Sequence, residues 1–158
     1  MSEKILSVPV LSATLSARRA RGERLVFTNG CFDLLHIGHT RYLQEARTLG
    51  DCLIVGVNSD ASVRAIKPNG RPIVPQAQRA EVLAALACVD YVVLFDEPDP
   101  RALIVTIQPD VLVKGGDWPI EQIVGRDIVQ ARGGRVVTIP LVPDMSTTTL
   151  VRRIQTLP

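Results

Sequence analysis

A chain of 158 residues with 46% hydrophobic and 22% charged side chains has the size and balance of one globular α/β domain with room for a real core. Its formal net charge of +2 and 4% aromatic content provide neither the basic surface nor the stacking platforms of a nucleic-acid-binding module. No apolar run approaches a membrane span, the start MSEKILSVPVL lacks a signal-peptide pattern, and Cys31, Cys52 and Cys88 form no CxxC pair, which argues against a disulfide framework or a zinc site and fits a reducing cytoplasm.

In chain order, residues 1–23 are a mixed N-terminal arm in which LSATLSARRARG is expected to form a short helix stopped by Gly22, its arginines in the last turn where the helix dipole favours cations. RLVFTN is a run fit for a buried strand, and HTRYLQEARTLG is an amphipathic helix stopped by Gly50. CLIVGVN is a second strand, followed by the helix SDASVRAIK with Ser59 or Asp60 as its cap. KPNGRPIVP is too dense in proline and glycine to be other than a loop. QAQRAEVLAALACV is a helix and YVVLF a strand, and DPRALIVTIQ is a helix capped by Asp99 with Pro100 at its first position. DVLVKG is a strand, IEQIVGRDIVQARGG a helix with a glycine stop, RVVTIP the last strand and STTTLVRRIQ the closing helix. Five apolar strands separated by helices predict a single Rossmann-like α/β domain over residues 24–158. It is a doubly wound five-stranded parallel sheet with helices on both faces, and Cys52 and Cys88 are small core residues within it.

Ligands of such sheets bind outside the carboxyl ends of the strands. The unusual stretches all fall there: TNGCFDLLHIGH after the first strand, NSD after the second, KGGDW after the fourth and PLVPDMSTT after the fifth. The first of these holds both histidines of the chain, His36 and His39, on either side of Gly38. Three residues apart, the two rings share one side of a helical turn, and Gly38 leaves space for a phosphate to approach a helix N-terminus. Metal ligation needs more ligands than this stretch offers: Asp33 could supply one, but no cysteine pair or further histidine lies nearby. Packing or capping is the plain alternative. The pattern is neither GxGxxG nor GxxxxGK[ST], so neither the dinucleotide fingerprint nor a P-loop is present.

The chain has three lysines against fifteen arginines. Lys67 opens the Pro/Gly loop, where an ammonium can close onto phosphates as a point charge or simply be solvated. Lys114 ends a buried strand just before Gly115 and Gly116, which allow close approach of a ligand, although a strand-end lysine can also reach solvent. Arg71, in the same loop as Lys67, is a candidate partner for a phosphate, whereas Arg79 lies on a helix and fixes that loop. Ser146 is a ready N-cap, and Thr147 and Thr148 with the exposed N–H groups of their helix can hold phosphates.

CFDLLHIGH resembles the signature of the HxGH nucleotidyltransferase superfamily, in its cytidylyltransferase-like branch. The likeness continues through GVNSD, RPIVP, QRAEVLAAL, VDYVVLF, PDVLVKGGDW, GGRVVTIP and STTTLVRRI, over about residues 24–154. This series is similar to the adenylyltransferases that act on D-glycero-β-D-manno-heptose 1-phosphate, in a stand-alone form without a kinase domain. The resemblance implies transfer of AMP from ATP to the sugar phosphate with release of pyrophosphate, for lipopolysaccharide core or surface glycan precursors. It implies His36, His39 and Lys67 as catalytic residues. The nucleotide would lie against Asn29, Gly30, Cys31, Phe32, Asp33, His36, Gly38, His39, Lys114, Asp117, Trp118, Ser146, Thr147, Thr148 and Arg153, with Arg152 the alternative to Arg153. The sugar phosphate would meet Asp33, Lys67 and Arg71. Asp117 and Trp118 match an acidic–aromatic pair near base and ribose, although Trp118 could equally cap the core. Mg²⁺ is expected on the triphosphate, held by phosphate oxygens and water, and a homodimer is the expected assembly. VPDMSTT departs from relatives, which often carry glycine and an aromatic before STT. Other readings are a cytidylyl- or adenylyltransferase for glycerol 3-phosphate, phosphopantetheine or FMN, and a nucleotide sensor without catalysis.

Overall fold

The structure is a computed structural model and describes residues 2–116 and 118–158. Its elements in chain order are α1 (Val8–Ala20), β1 (Leu25–Gly30), α2 (Ile37–Arg47), β2 (Cys52–Asn58), α3 (Asp60–Ile66), α4 (Gln76–Ala84), β3 (Tyr91–Phe95), α5 (Arg101–Ile107), β4 (Val111–Gly115), a single 3₁₀ turn (Ile120–Gln122), α6 (Arg126–Ala131), β5 (Arg135–Ile139) and α7 (Thr147–Gln155). The strands form one sheet in the order β3-β2-β1-β4-β5, and every neighbouring pair is parallel. Among the described residues no helix is long and apolar enough to cross a membrane.

Strand side chains alternate between two cores, as the period of two requires. Val26, Leu53, Val55, Val57, Val111 and Val113 pack on one face with Leu43 and Ala46 of α2 and Leu83 and Ala84 of α4. Leu25, Phe27, Cys52, Ile54 and Leu112 pack on the other with Leu11 and Leu15 of α1, Ile104 and Ile107 of α5 and Val129 of α6. β1 and β2 therefore carry near-continuous apolar runs, the mark of strands covered on both sides.

Three local outcomes differ from the expectations. α1 starts at Val8, with Ser7 at the N-cap position but making no side-chain capping bond, and with Pro9 in its first turn, where a missing N–H costs nothing. The segment before it is not loose: Leu6 N donates to Val92 O and Val92 N to Lys4 O, which pairs residues 4–6 with the outer edge of β3. Before α5, Pro100 occupies the N-cap position itself, and Asp99 accepts from Arg101 N. The stretch 120–134 is not one helix. It is a 3₁₀ turn and then α6, separated by Gly125 at φ 88°, where a Cβ would stand 2.4 Å from Ile104 Cδ1.

After β1 the chain turns into α2 on one face, and after β3 it returns through α5 on the other face to lay β4 beside β1. The connections leaving β1 and β4 diverge, opening a crevice at the carboxyl ends of these two strands. The buried Tyr42 hydroxyl spans the floor, bonding Thr28 of β1 and Val113 O of β4.

Candidate active site

Three adjoining clefts, of about 310, 240 and 560 Å³, open along this crevice. Cys31 lines all three, so the chain just past β1 is their meeting point. Asn29, Gly30, Lys67, Lys114 and Trp118 line the first. His36, Gly38, His39, Lys114, Met145, Ser146 and Thr147 line the second. Phe32, Asp33, His39, Lys67, Arg71, Thr147, Thr148 and Arg152 line the third. Residues as far apart in sequence as Asn29 and Arg152 thus converge because each lies at or beyond the end of a strand in one parallel sheet.

His36 is the N-cap of α2, and its Nδ1 accepts from Gly38 N at 3.1 Å. A ring nitrogen that accepts carries no proton, so the neutral imidazole bears its proton on Nε2 and is a donor there. A Cβ on Gly38 would lie 2.9 Å from two atoms of the His36 ring. The glycine therefore makes room for the imidazole, and its N–H is used internally. Gly38 still lines the second cleft. The His36 and His39 rings stack with centroids 3.9 Å apart, and Phe32 meets His39 edge-on at 5.3 Å. Burial lowers both histidine pKa values. For His39, burial and then the neighbouring His36 bring it down to about 4, against a smaller opposing pull from the Leu34 carbonyl. Both rings are neutral at pH 7. The His39 Nδ1 is buried without a hydrogen-bond partner in this geometry.

Asp33 is 6% exposed. Its carboxylate accepts from Ile73 N at 2.8 and 3.0 Å, from Val74 N at 2.9 Å and from Arg71 Nη1 at 2.8 Å. Burial pushes its pKa up, but these donors outweigh it and hold the group below the usual carboxylate range. Most of its hydrogen-bonding capacity is thus used by the Pro/Gly loop, at the wall of the third cleft. Burial lowers the Lys114 pKa and raises that of Cys31, which disfavours the thiolate.

Ser146 caps α7, accepting from Thr149 N at 3.0 Å, and Met145 lies against the start of α2. Of the two arginines on α7, Arg152 faces the third cleft, and Arg153 lines none of the three. Trp118 is 54% exposed on the first cleft and so does not cap the core. Asp117 lies outside the described residues. Sequence reasoning underrated Arg79, a buried guanidinium that donates to Val74 O, Cys31 O, Asn58 O and Asp60 Oδ1. It also passed over Leu141 and Val142, which close the second cleft. No motif marks them, since they are ordinary apolar residues after a strand.

Fold and site together define an α/β protein with clefts at the switch point of a parallel sheet, built around a paired imidazole with lysine and arginine side chains on the walls. The chain belongs to the cytidylyltransferase-like family, whose sequence profile matches residues 27–153. It is 56% identical over 97% of its length to the bifunctional protein HldE of Geotalea uraniireducens, and 54% identical over 96% to that of Citrifermentans bemidjiense. It spans 31% of the length of each of these curated relatives. Among solved structures it is similar to the lipopolysaccharide core biosynthesis protein of Thermoplasma volcanium, with a TM-score of 0.61 and 30% identity, covering 77% of this chain and 98% of that one. The pantothenate synthetase of Thermus thermophilus shares the fold, with a TM-score of 0.61 at 17% identity over 94% of this chain and 70% of that one.

Proposed function

We propose that this chain transfers AMP from ATP to a heptose 1-phosphate, releasing pyrophosphate and forming ADP-heptose for lipopolysaccharide core or surface glycan synthesis. The observation that carries the reading is the stacked, neutral His36–His39 pair where three clefts meet, with Lys67, Lys114 and Arg152 on their walls. The likeness to the HldE proteins and to the Thermoplasma protein supports the sugar substrate.

In this reading a phosphate oxygen of the acceptor attacks the α-phosphorus in line. The new O–P bond forms as the bond to the bridging α,β-oxygen breaks, and its electron pair leaves with pyrophosphate. The attacking oxygen is anionic near neutral pH, so no general base is needed, and positioning with charge stabilisation is the whole task. His36 donates through Nε2–H to a triphosphate oxygen, His39 donates to a neighbouring phosphate oxygen, and Lys67, Lys114 and the start of α7 offset the remaining charge. Mg²⁺ would travel on the triphosphate: two imidazoles and a largely engaged Asp33 offer it no oxygen cage, so phosphate oxygens and water would be its ligands. The free thiols of Cys31, Cys52 and Cys88 and the use of ATP support a cytoplasmic setting for the reaction.

The test is pyrophosphate release from ATP and from CTP with heptose 1-phosphate, glycerol 3-phosphate and FMN as acceptors. Turnover with ATP and heptose 1-phosphate, lowered about 10²–10³-fold in His39→Ala, is the expected result. Preference for another acceptor would replace the substrate, and ATP binding with no pyrophosphate from any acceptor would make the chain a nucleotide sensor.

A further inference from the structure

We propose that Asp33 is a positioning residue that sets the acceptor side of the site through Arg71 and the loop behind it. This rests on the reading above and adds a role that the HxGH pattern does not contain. Burying a carboxylate is costly unless every charge-bearing oxygen is paired. At the end of β1 that cost is met by donors that all come from one segment, residues 71–74. Arg79 grips the same segment from the other side, bonding Val74 O together with Cys31 O. The stem of the loop is therefore fastened to residues 31–33 at two points. Its other end is fixed where Lys67 N donates to Val63 O at the end of α3. The exposed tip, Pro68 to Gly70, makes no such ties among the described residues.

Lys67 and Arg71, the cations on either side of that tip, both line the third cleft. Asp33 engages Arg71 through Nη1 alone, leaving the other guanidinium donors for an anion. A guanidinium already held by a buried carboxylate gives up little rotamer freedom when a phosphate arrives. Asp33 thus acts on the acceptor through Arg71, without touching it.

The test compares wild type, Asp33→Asn, Arg71→Lys and the double variant in steady-state assays, with melting measured on each. Asparagine keeps one acceptor oxygen but loses the charge and the second oxygen. The acceptor KM should rise about tenfold to a hundredfold in Asp33→Asn, while the ATP KM and kcat change much less. Arg71→Lys should do the same, and the double variant should be no worse than the more impaired single one. Independent multiplication of the two effects, a fall confined to kcat, or a lower melting temperature with unaltered KM values would each overturn the proposal. Should wild type turn over no sugar phosphate, the function reading falls. Asp33 is then tested by titrating inorganic phosphate in the presence of a non-hydrolysable ATP analogue, where Asp33→Asn must still bind it at least about tenfold more weakly.

Discussion

At the residue scale the paired imidazoles set the electrostatics of the site. Two imidazolium rings 3.9 Å apart would repel, and burial already disfavours the charged form. The pair is therefore neutral at working pH, so in the proposed reaction it would offer a triphosphate hydrogen bonds while the lysines and arginines carry the positive charge. This has a consequence for stability. The His39 pKa is about 4 when folded, against an ordinary 6.5, so between these values the unfolded chain binds the extra proton and the folded one does not. Stability then falls as pH drops from about 6.5 towards 4 and gains nothing further from this group below that. Asp33, with its folded pKa depressed, also loses its contribution as pH falls, so the histidine must be isolated by difference. His39→Asn should show a shallower loss of melting temperature between pH 6.5 and 4 than wild type. Parallel melting curves in the two proteins would contradict the buried, neutral assignment.

At the element scale, α7 differs from the other helices. Its N-cap is well formed, yet none of its side chains is fully buried, and Ile154 is 61% exposed. Helices of this length draw most of their stability from packing, so α7 depends on its cap and its surroundings more than α2 or α4 does. Ser146→Ala removes the bond to Thr149 N, which costs about 1 kcal/mol. Because little core is tied to α7, that cost should appear locally. Amide exchange over residues 147–150 should speed up and the ATP KM rise about fivefold, with the melting temperature nearly unchanged. A large drop in melting temperature without a change in KM would mean that α7 belongs to the core.

The elements also show what the sequence makes legible. Strand runs such as CLIVGVN and the caps Ser59 and Ser146 declare themselves, because burial on two faces and capping hydroxyls leave local signatures. The break at Gly125 does not, because IEQIVGRDIVQARGG keeps an apolar spacing that suits a helix. What ends the first turn is tertiary: the chain must pass so close to Ile104 that only a glycine at positive φ fits. Within the site, the histidines and STT were visible as motifs. The internal use of Gly38 N–H, the engagement of Asp33 by residues 71–74 and the position of Arg152 on the wall of the third cleft depend on how the chain is arranged in space, which no local motif encodes.

At the scale of the whole molecule, the sheet is held in register at both ends by polar side chains. At its amino edge, Asp51, Asp90 and Asp110 each precede a strand and accept from a backbone N–H beside a neighbouring one, at Arg24, Leu53 and Leu25. At its carboxyl edge the task falls to Arg79, whose side chain is fully buried. It joins the ends of β1 and β2, the first turn of α3 and the Pro/Gly loop through Cys31 O, Asn58 O, Asp60 Oδ1 and Val74 O. Replacing it with methionine keeps the volume but strands three carbonyls and loses the ion pair. The expected cost is about 3–5 kcal/mol, a fall of roughly 10 °C or more in melting temperature for a domain of this size. Lysine should rescue only part of that, because one ammonium with three donors does not reproduce a planar fork that meets four acceptors. Residual activity should show the same geometry: at temperatures where Arg79→Lys is folded, its KM values for both substrates should rise, since Cys31 lines all three clefts of the site and Arg79 holds it. An Arg79→Met protein melting within about 2 °C of wild type, less than the shift expected for 1 kcal/mol, would show that the carboxyl edge is held by packing alone.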